Sequence, residues 1–101
     1  LKNFQYNIYM YEITSRTKKN AKKLGVVVKN STNPKKKIDV FKDNKKIATI
    51  GAVGYNDYPT FIKKKGKAFA EIRRKAYKSR HEKTRKKIGS PSYYADKLLW
   101  D

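Results

Sequence analysis

The stretch from Lys63 to Lys87 contains 13 Lys and Arg residues but only two carboxylates, Glu71 and Glu82. A helix of this composition has room for only a narrow apolar stripe, so it can contribute little to a hydrophobic core. Solvated helix faces ordinarily mix both signs of charge, and this imbalance argues against a face that is merely solvated. Any fold of this chain must therefore keep the stretch on its outside, where it can meet an anionic partner.

The whole chain has the same bias. Its 101 residues include 27 Lys and Arg against 8 Asp and Glu, a formal net charge of +19 that far exceeds what solubility requires. With 38% hydrophobic residues, the chain is expected to form one small domain with a modest core. The charge favours nucleic acid as the partner, ahead of an anionic membrane surface or the acidic faces of other proteins.

Several kinds of site are not indicated. Cysteine is absent and His81 is the only histidine, so neither a disulfide framework nor a Cys/His zinc site is expected. His81 has no candidate nucleophile beside it and the carboxylates are scattered, which argues against acid–base or two-metal catalysis. We expect no catalytic residues, no metal or cofactor and no small-molecule substrate. Because no apolar run approaches about 18 residues, we also expect no transmembrane segment.

The N-terminal quarter combines an aromatic segment with a basic one. Phe4–Ile13 alternates like a strand but is apolar on both sides, which fits either a strand buried on two faces or an arm laid on a partner. Thr14–Lys23 carries five cations without periodicity and is predicted to be an exposed basic linker. We therefore divide the chain into an arm and linker, residues 1–23, and a basic module, residues 24–101.

Three short β-rich runs open the basic module and are separated by turn residues, which predicts a three-stranded antiparallel meander. In the second run, Ile38 and Val40 would face one side and Asp39 and Phe41 the other, so one face is expected to be dry and the other solvated. The runs are Leu24–Lys29, Lys36–Lys42 and Lys45–Ile50.

A long basic helix is predicted from about Lys67 to Lys87, with an apolar stripe of Phe69, Ile72 and Ala76. Cations cover almost every other direction around this helix, and we predict that they bind the anionic partner. The predicted binding residues are Arg73, Arg74, Lys75, Lys78, Arg80, Lys83, Arg85, Lys86 and Lys87.

A short final helix is predicted after Gly89, since Ser90 is a good N-cap and Pro91 suits the first turn. Its apolar residues are expected to fold back and dock the C-terminus. These docking residues are Tyr94, Leu98, Leu99 and Trp100. The predicted class is α+β, a small antiparallel three-stranded meander followed by a long basic helix and a short C-terminal helix.

The segment GAVGYNDY links the sheet to the helices and contains a G-x-x-G spacing. Such glycines can cradle a phosphate at a helix N-terminus. Here, however, the two middle residues are apolar and the loop follows a strand. We favour a structural corner in which the glycines supply positive φ and the other residues hold the turn by packing and hydrogen bonds. The corner residues are Gly51, Gly54, Tyr55, Asp57 and Tyr58.

In order and spacing, GAVGYNDY, RRKAYKSRHEK and SPSYYADKLLW resemble a family of small basic proteins of nucleocytoplasmic large DNA viruses, including algal viruses. The family pattern has a V-x-x-S-T loop, a G-A-x-G-Y-x-D-Y corner, an R-x-x-Y-x-x-R-H helix and a closing L-L-W. It matches Ser31, Thr32, Gly51, Ala52, Gly54, Tyr55, Asp57, Tyr58, Arg74, Tyr77, Arg80, His81, Leu98, Leu99 and Trp100. The resemblance spans roughly Leu24–Trp100, and Asn30 and Pro59 depart from it.

The resemblance implies a viral source and a compact module, and it brings no established activity with it. One expected function is a structural virion protein, a minor capsid or cement component that binds acidic surfaces of other viral capsid proteins. It would then reside in the virion, and in the host cell interior during assembly. The alternative is a sequence-independent nucleic-acid-binding protein that condenses or packages viral DNA. The aromatic segment and modest core favour the first function, and the charge favours the second.

Overall fold

The computed structural model describes residues 11–101, in which helices pack on a three-stranded antiparallel sheet. The predicted α+β class, the meander and the long and short C-terminal helices are confirmed. Most of the predicted aromatic strand or arm, Phe4–Ile13, lies outside the described residues, and residues 11–13 are not in a strand. The elements are α1 (Ser15–Leu24), β1 (Val27–Asn30), β2 (Lys36–Lys42), β3 (Lys45–Ala52), α2 (Tyr58–Lys65), α3 (Lys67–Arg80), α4 (Glu82–Arg85) and α5 (Pro91–Leu99).

The sheet follows the predicted order β1-β2-β3, and β2 has the predicted bounds. In the register, Val40 of β2 lies opposite Val28 of β1 and opposite Ala48 of β3. The β2–β3 hairpin turns on Asp43 and Asn44, both of which have positive φ. A two-residue turn with this backbone matches the right-handed twist of the strands, and short polar side chains tolerate it best.

The central strand β2 is buried on both faces. Ile38 and Val40 are fully buried in the core, but Lys37 and Asp39, which point the other way, are also buried. The prediction that the Asp39 side of the sheet is solvated is therefore wrong at this position. The physical reason is that polar partners surround the Asp39 carboxylate and replace its water.

Hydrogen bonding should make Asp39 a source of acid sensitivity. Burial alone would raise the pKa of Asp39, but bonds from Ser31, Lys46, Thr32 and Thr49 outweigh burial and lower it from 3.8 to about 2. Because the folded-state pKa is the lower one, the stabilisation is complete above about pH 4 and is lost as the pH falls through about 2. We expect the thermal midpoint to fall across this window and to fall less in Asp39→Asn. Parallel acid profiles for the two proteins would contradict this assignment.

The segment Thr14–Lys23, predicted as an exposed linker, instead begins with a cap and forms α1. The Thr14 hydroxyl accepts a hydrogen bond from the backbone N–H of Thr17. Thr17 and Ala21, one turn apart, are buried, and the Thr17 hydroxyl donates to the Leu98 carbonyl over 2.7 Å. The linker prediction was wrong because the buried stripe consists of Thr and Ala, which do not produce an apolar periodicity.

The predicted single helix Lys67–Lys87 is also wrong in its extent. The helix α3 ends at Arg80, and after a turn at His81 the chain forms the separate one-turn helix α4. This turn brings Arg85 back toward α5, where its Nη1 lies 3.6 Å from an Asp96 oxygen. Upstream, α2 forms a further helix that ends at Gly66, whose φ of 88° separates it from α3.

The buried face of α3 differs from the predicted stripe of Phe69, Ile72 and Ala76. Phe69 is 41% exposed and Ile72 is 66% exposed, whereas Ala70 is completely buried. Tyr77 packs against the core and stacks on Trp100, with ring centroids 4.4 Å apart and planes 10° apart. These two contacts fix the rotation of the helix about its axis, and they turn Phe69 and Ile72 outward.

The C-terminal helix begins as predicted, with the Ser90 hydroxyl accepting a hydrogen bond from the N–H of Tyr93. It lies on β3 and contacts α1. The four predicted docking residues Tyr94, Leu98, Leu99 and Trp100 are all buried in the core of the chain itself. None of the helices within residues 11–101 is both long and apolar enough to cross a membrane.

Candidate functional site

Three buried aspartates form ion pairs with cations of the same chain. Asp57 lies 3.2 Å from the Lys37 ammonium, and both side chains are almost completely buried. Asp39 lies 3.1 Å from Lys46. Asp96, on α5, is fully buried and lies 3.2 Å from the Lys78 ammonium of α3. The charges of these three carboxylates are therefore compensated by cations of the protein itself.

Three carboxylates nearer the surface, Glu71, Glu82 and Asp101, pair with helical cations as well. Asp101 lies 2.6 Å from the Lys78 ammonium, and Glu82 lies 2.7 Å from Arg85. Of the predicted binding residues, four contact carboxylates of the protein, and three of these, Arg74, Lys78 and Arg85, reach Asp96 or Asp101 near the C-terminus. These four are Arg74, Lys78, Arg85 and Lys86.

The other five predicted binding residues are exposed and form no salt bridge within residues 11–101. Four lysines at the junction of α2 and α3 share these properties, although the predicted set omitted them. The signal that could have identified them is the run KKKGK itself. We call the nine residues the helical basic surface. They are Lys63, Lys64, Lys65, Lys67, Arg73, Lys75, Arg80, Lys83 and Lys87.

The corner between the sheet and the helices has positive φ at both glycines, as predicted: Gly51 has a φ of 79° and Gly54 a φ of 98°. Tyr58 is 1% exposed, and Asp57 caps α2 by accepting a hydrogen bond from the N–H of Thr60. Tyr55 differs from the prediction, because its side chain is 75% exposed and does not pack into the corner.

A phosphate cradle at the corner is disfavoured by the electrostatics of Asp57. Burial raises the pKa of this carboxyl, but hydrogen bonds from Thr60 and Tyr11 and the charge of Lys37 outweigh burial and lower it below its ordinary value. Asp57 is thus ionised at neutral pH and occupies the N-terminus of α2, where a phosphate would have to bind.

Gly51 is constrained by space as well as by backbone conformation. A Cβ at this position would lie 2.9 Å from Leu99 Cδ1 and 3.0 Å from Lys37 Cδ, whereas a Cβ at Gly54 would meet nothing within 4 Å. Both glycines have positive φ, so Gly54→Ala is the matched control for the backbone penalty. We expect Gly51→Ala to lower the free energy of unfolding by about 1–3 kcal/mol more than Gly54→Ala does, as measured by urea denaturation. Equal losses would contradict the close packing at Gly51.

Beside the corner lies a cleft of 350 Å³, which we call the corner cleft. It is bounded by the loop 51–57, one side of α3 and the end of α5. Stacked rings form one wall: His81 lies 4.3 Å from Tyr77, and Tyr77 lies 4.4 Å from Trp100. The cleft thus has an aromatic wall within an otherwise basic surface.

Two exposed arginines line the corner cleft. Arg73 and Arg80 line it from α3 and are exposed, and the Arg73 guanidinium lies 5.6 Å from the ring centroid of Phe61. The buried pair of Lys37 and Asp57 also lines the cleft. The corner, the middle of α3 and the closing L-L-W, which the sequence singled out separately, therefore meet at one place.

Comparison with protein-family models, with curated proteins and with solved structures finds no match to this chain. Residues 11–101 contain no group of three or more His, Asp or Glu side chains placed to hold a metal ion. The side chains of the site offer two kinds of contact: positive charges for an anionic polymer and aromatic ring faces for a planar ligand.

Proposed function

We propose that this is a non-enzymatic protein that binds nucleic acid independently of its sequence, through the helical basic surface. The observation that carries the proposal is the placement of charge: six of the eight carboxylates pair with cations of the protein itself, while nine cations along α2, α3, α4 and the residues just after it remain exposed. Double-stranded DNA presents one negative charge per about 1.7 Å of its axis, so it matches a surface of this kind.

The chemistry of the helical basic surface favours affinity over sequence specificity. Seven of its nine residues are lysines, which are point charges on flexible stems that can follow phosphates in many positions. Base recognition usually requires arginines held in a fixed geometry for bidentate contacts. Arg74 and Arg85 are held by carboxylates of the protein itself. Phosphate contacts therefore dominate this proposal, and such contacts carry no sequence information directly.

The capsid hypothesis rests mainly on the aromatic segment Phe4–Ile13, most of which lies outside the described residues. The charge that favours nucleic acid is, by contrast, present in the described residues: nine exposed cations form the helical basic surface, and further exposed lysines lie on α1 and on the strands. Nucleic acid therefore comes first in our proposal.

One observation keeps an acidic protein partner as the second candidate. Phe69 and Ile72 are exposed apolar side chains three residues apart on α3, between cations of the helical basic surface. Phosphate contacts do not need them, whereas a protein groove with an apolar floor and an acidic rim would cover both. Together with the viral resemblance, this favours a minor capsid or cement protein in the virion. Retention in nuclease-treated, opened particles would support that candidate, and complete release would support nucleic-acid binding.

The primary proposal is tested by measuring the binding of the full chain to two unrelated DNA duplexes of equal length. We expect dissociation constants within about threefold of each other, because phosphate contacts do not distinguish sequences. If about five phosphates are neutralised, the log–log dependence of affinity on salt should have a slope near −4 to −5. Affinity for neither duplex at physiological salt, or a preference above about tenfold, would contradict the proposal.

A further inference from the structure

The corner cleft has features that phosphate binding by the helical basic surface does not require. It combines two exposed arginines, a stack of aromatic rings and an exposed tyrosine in a volume of 350 Å³. We infer that the corner cleft binds one unpaired base of a single-stranded nucleic acid, while Arg73 and Arg80 contact the adjoining phosphates. This inference rests on the proposed function and adds a preference for single strands.

The two arginines are spaced to bracket a nucleotide. Arg73 and Arg80 are seven residues apart on α3, which places them on the same side of the helix and about 10 Å apart along its axis. Tyr77 lies between them in the same wall of the corner cleft. A strand that runs along α3 could thus contact one guanidinium on each side of a base in the cleft.

Two rings that line the corner cleft are available for stacking. Tyr55 is 75% exposed, and nothing in the packing of the corner requires its ring. His81 is the outermost ring of the stack, since Tyr77 is covered by His81 and Trp100. Single-strand binders commonly combine basic grooves with aromatic platforms of this kind, because every base has a face that can stack.

Charge and size also suit one base. The carboxylate that lines the corner cleft, Asp57, is already bound by Lys37, Tyr11 and Thr60, so its charge is compensated within the protein. Asn56 lines the cleft and is exposed, which gives the edge of a base an amide partner. At 350 Å³ the cleft is at the small end of ligand pockets, which run from about 300 to 1,000 Å³.

The test compares an unstructured thymidine oligonucleotide with a duplex of the same length, using the full chain. Trp100 is the only tryptophan and lines the corner cleft, so its fluorescence reports on occupancy. We expect the single strand to change this emission and to bind more tightly than the duplex. Tyr55→Ala should weaken single-strand binding by roughly 5- to 150-fold, the loss expected for one stacked base, and leave duplex binding within about twofold.

Two matched variants control for unrelated losses. Phe69→Ala removes an exposed ring that lies on α3 and does not line the corner cleft, and it should not alter the preference for single strands. Arg80→Gln should weaken single-strand binding more than Lys83→Gln, although each removes one charge. Because Tyr55 is so exposed, its variant should keep the wild-type melting temperature.

The outcomes separate this inference from the proposed function. Equal affinity for single strand and duplex, both insensitive to Tyr55→Ala, would overturn the inference and leave the proposed function in place. Two other results would also overturn the inference. One is that the protein is saturated with single strand without any change in Trp100 emission. The other is that Tyr55→Ala lowers the affinity for single strand and duplex equally. Binding to neither nucleic acid at physiological salt would overturn both proposals.

Discussion

Replacing Trp100 and Leu98 together by Ala is expected to remove most of the free energy of unfolding. The Leu98 side chain is 1% exposed, and Trp100 is 9% exposed and stacks on Tyr77. Truncation of a buried Trp typically costs about 3–5 kcal/mol and that of a buried Leu about 2–5 kcal/mol. The two losses need not add, because the residues are neighbours. Small domains are stable by only about 5–15 kcal/mol, so little stability would remain.

Urea denaturation of the single and double variants measures this effect. Ile88→Ala is the control, since Ile88 is 85% exposed and its truncation should change stability by no more than about 0.5 kcal/mol. If Trp100→Ala and Leu98→Ala each behave like Ile88→Ala, the C-terminal helix is not part of the core as described.

Asp57→Ala is expected to cause the largest loss from a single polar substitution. Asp57 and Lys37 are 1% and 6% exposed and form an ion pair of 3.2 Å. Removing one partner leaves the other charge buried without compensation, which costs about 3–5 kcal/mol. The Asp57 carboxylate also accepts hydrogen bonds from Tyr11 and from the N–H of Thr60, so the cap of α2 is lost as well.

A double-mutant cycle distinguishes the buried charge from the lost cap. Lys37→Met removes the ammonium while keeping most of the side-chain volume, so combined with Asp57→Ala it removes both charges. We expect this double variant to be more stable than Asp57→Ala alone, because no uncompensated ammonium remains. If adding Lys37→Met lowers the stability of Asp57→Ala further, the loss does not come from the buried charge.

Local rules of sequence are sufficient for the strand order, the β2–β3 hairpin and the start of the last helix, although the first strand begins at Val27 and not at Leu24. The alternation in β2 and the polar pair Asp43 and Asn44 predict the hairpin, because strand period and turn chemistry are properties of neighbouring residues. Ser90 and Pro91 predict the start of α5 for the same reason. Such features depend little on the rest of the fold.

Features that depend on contacts between distant elements could not be predicted. Thr17 is buried because its hydroxyl finds the Leu98 carbonyl, 81 residues away, so a polar residue lies on the inner face of α1. The rotation of α3 depends on Tyr77 meeting Trp100, and this turned the apparent stripe of Phe69 and Ile72 outward. Apolar periodicity along one segment contains no information about either contact.

The sequence predicted that the candidate site is cationic, but it identified only some of the residues that form it. The sequence identified the basic run, but it could not show that Asp96 would be buried between Lys78 and Arg85. When these ion pairs are not known, every cation of the run is an equal candidate for binding a partner. The corner cleft was not predicted at all, because it is formed by residues from the loop, α3 and α5.

The central claim is tested most directly by two variants that lose the same number of charges from different surfaces. The salt dependence of their affinity for duplex DNA gives the number of phosphate contacts that each surface makes. One variant replaces Lys63, Lys65, Lys67 and Lys75 of the helical basic surface by Gln. The other replaces Lys29, Lys36, Lys42 and Lys45, which are exposed on the strands of the sheet. We predict that the helical variant loses about 3–4 from the magnitude of the log–log slope and the strand variant loses less than about 1. Equal flattening in both variants, or a larger effect of the strand variant, would contradict binding through the helical basic surface.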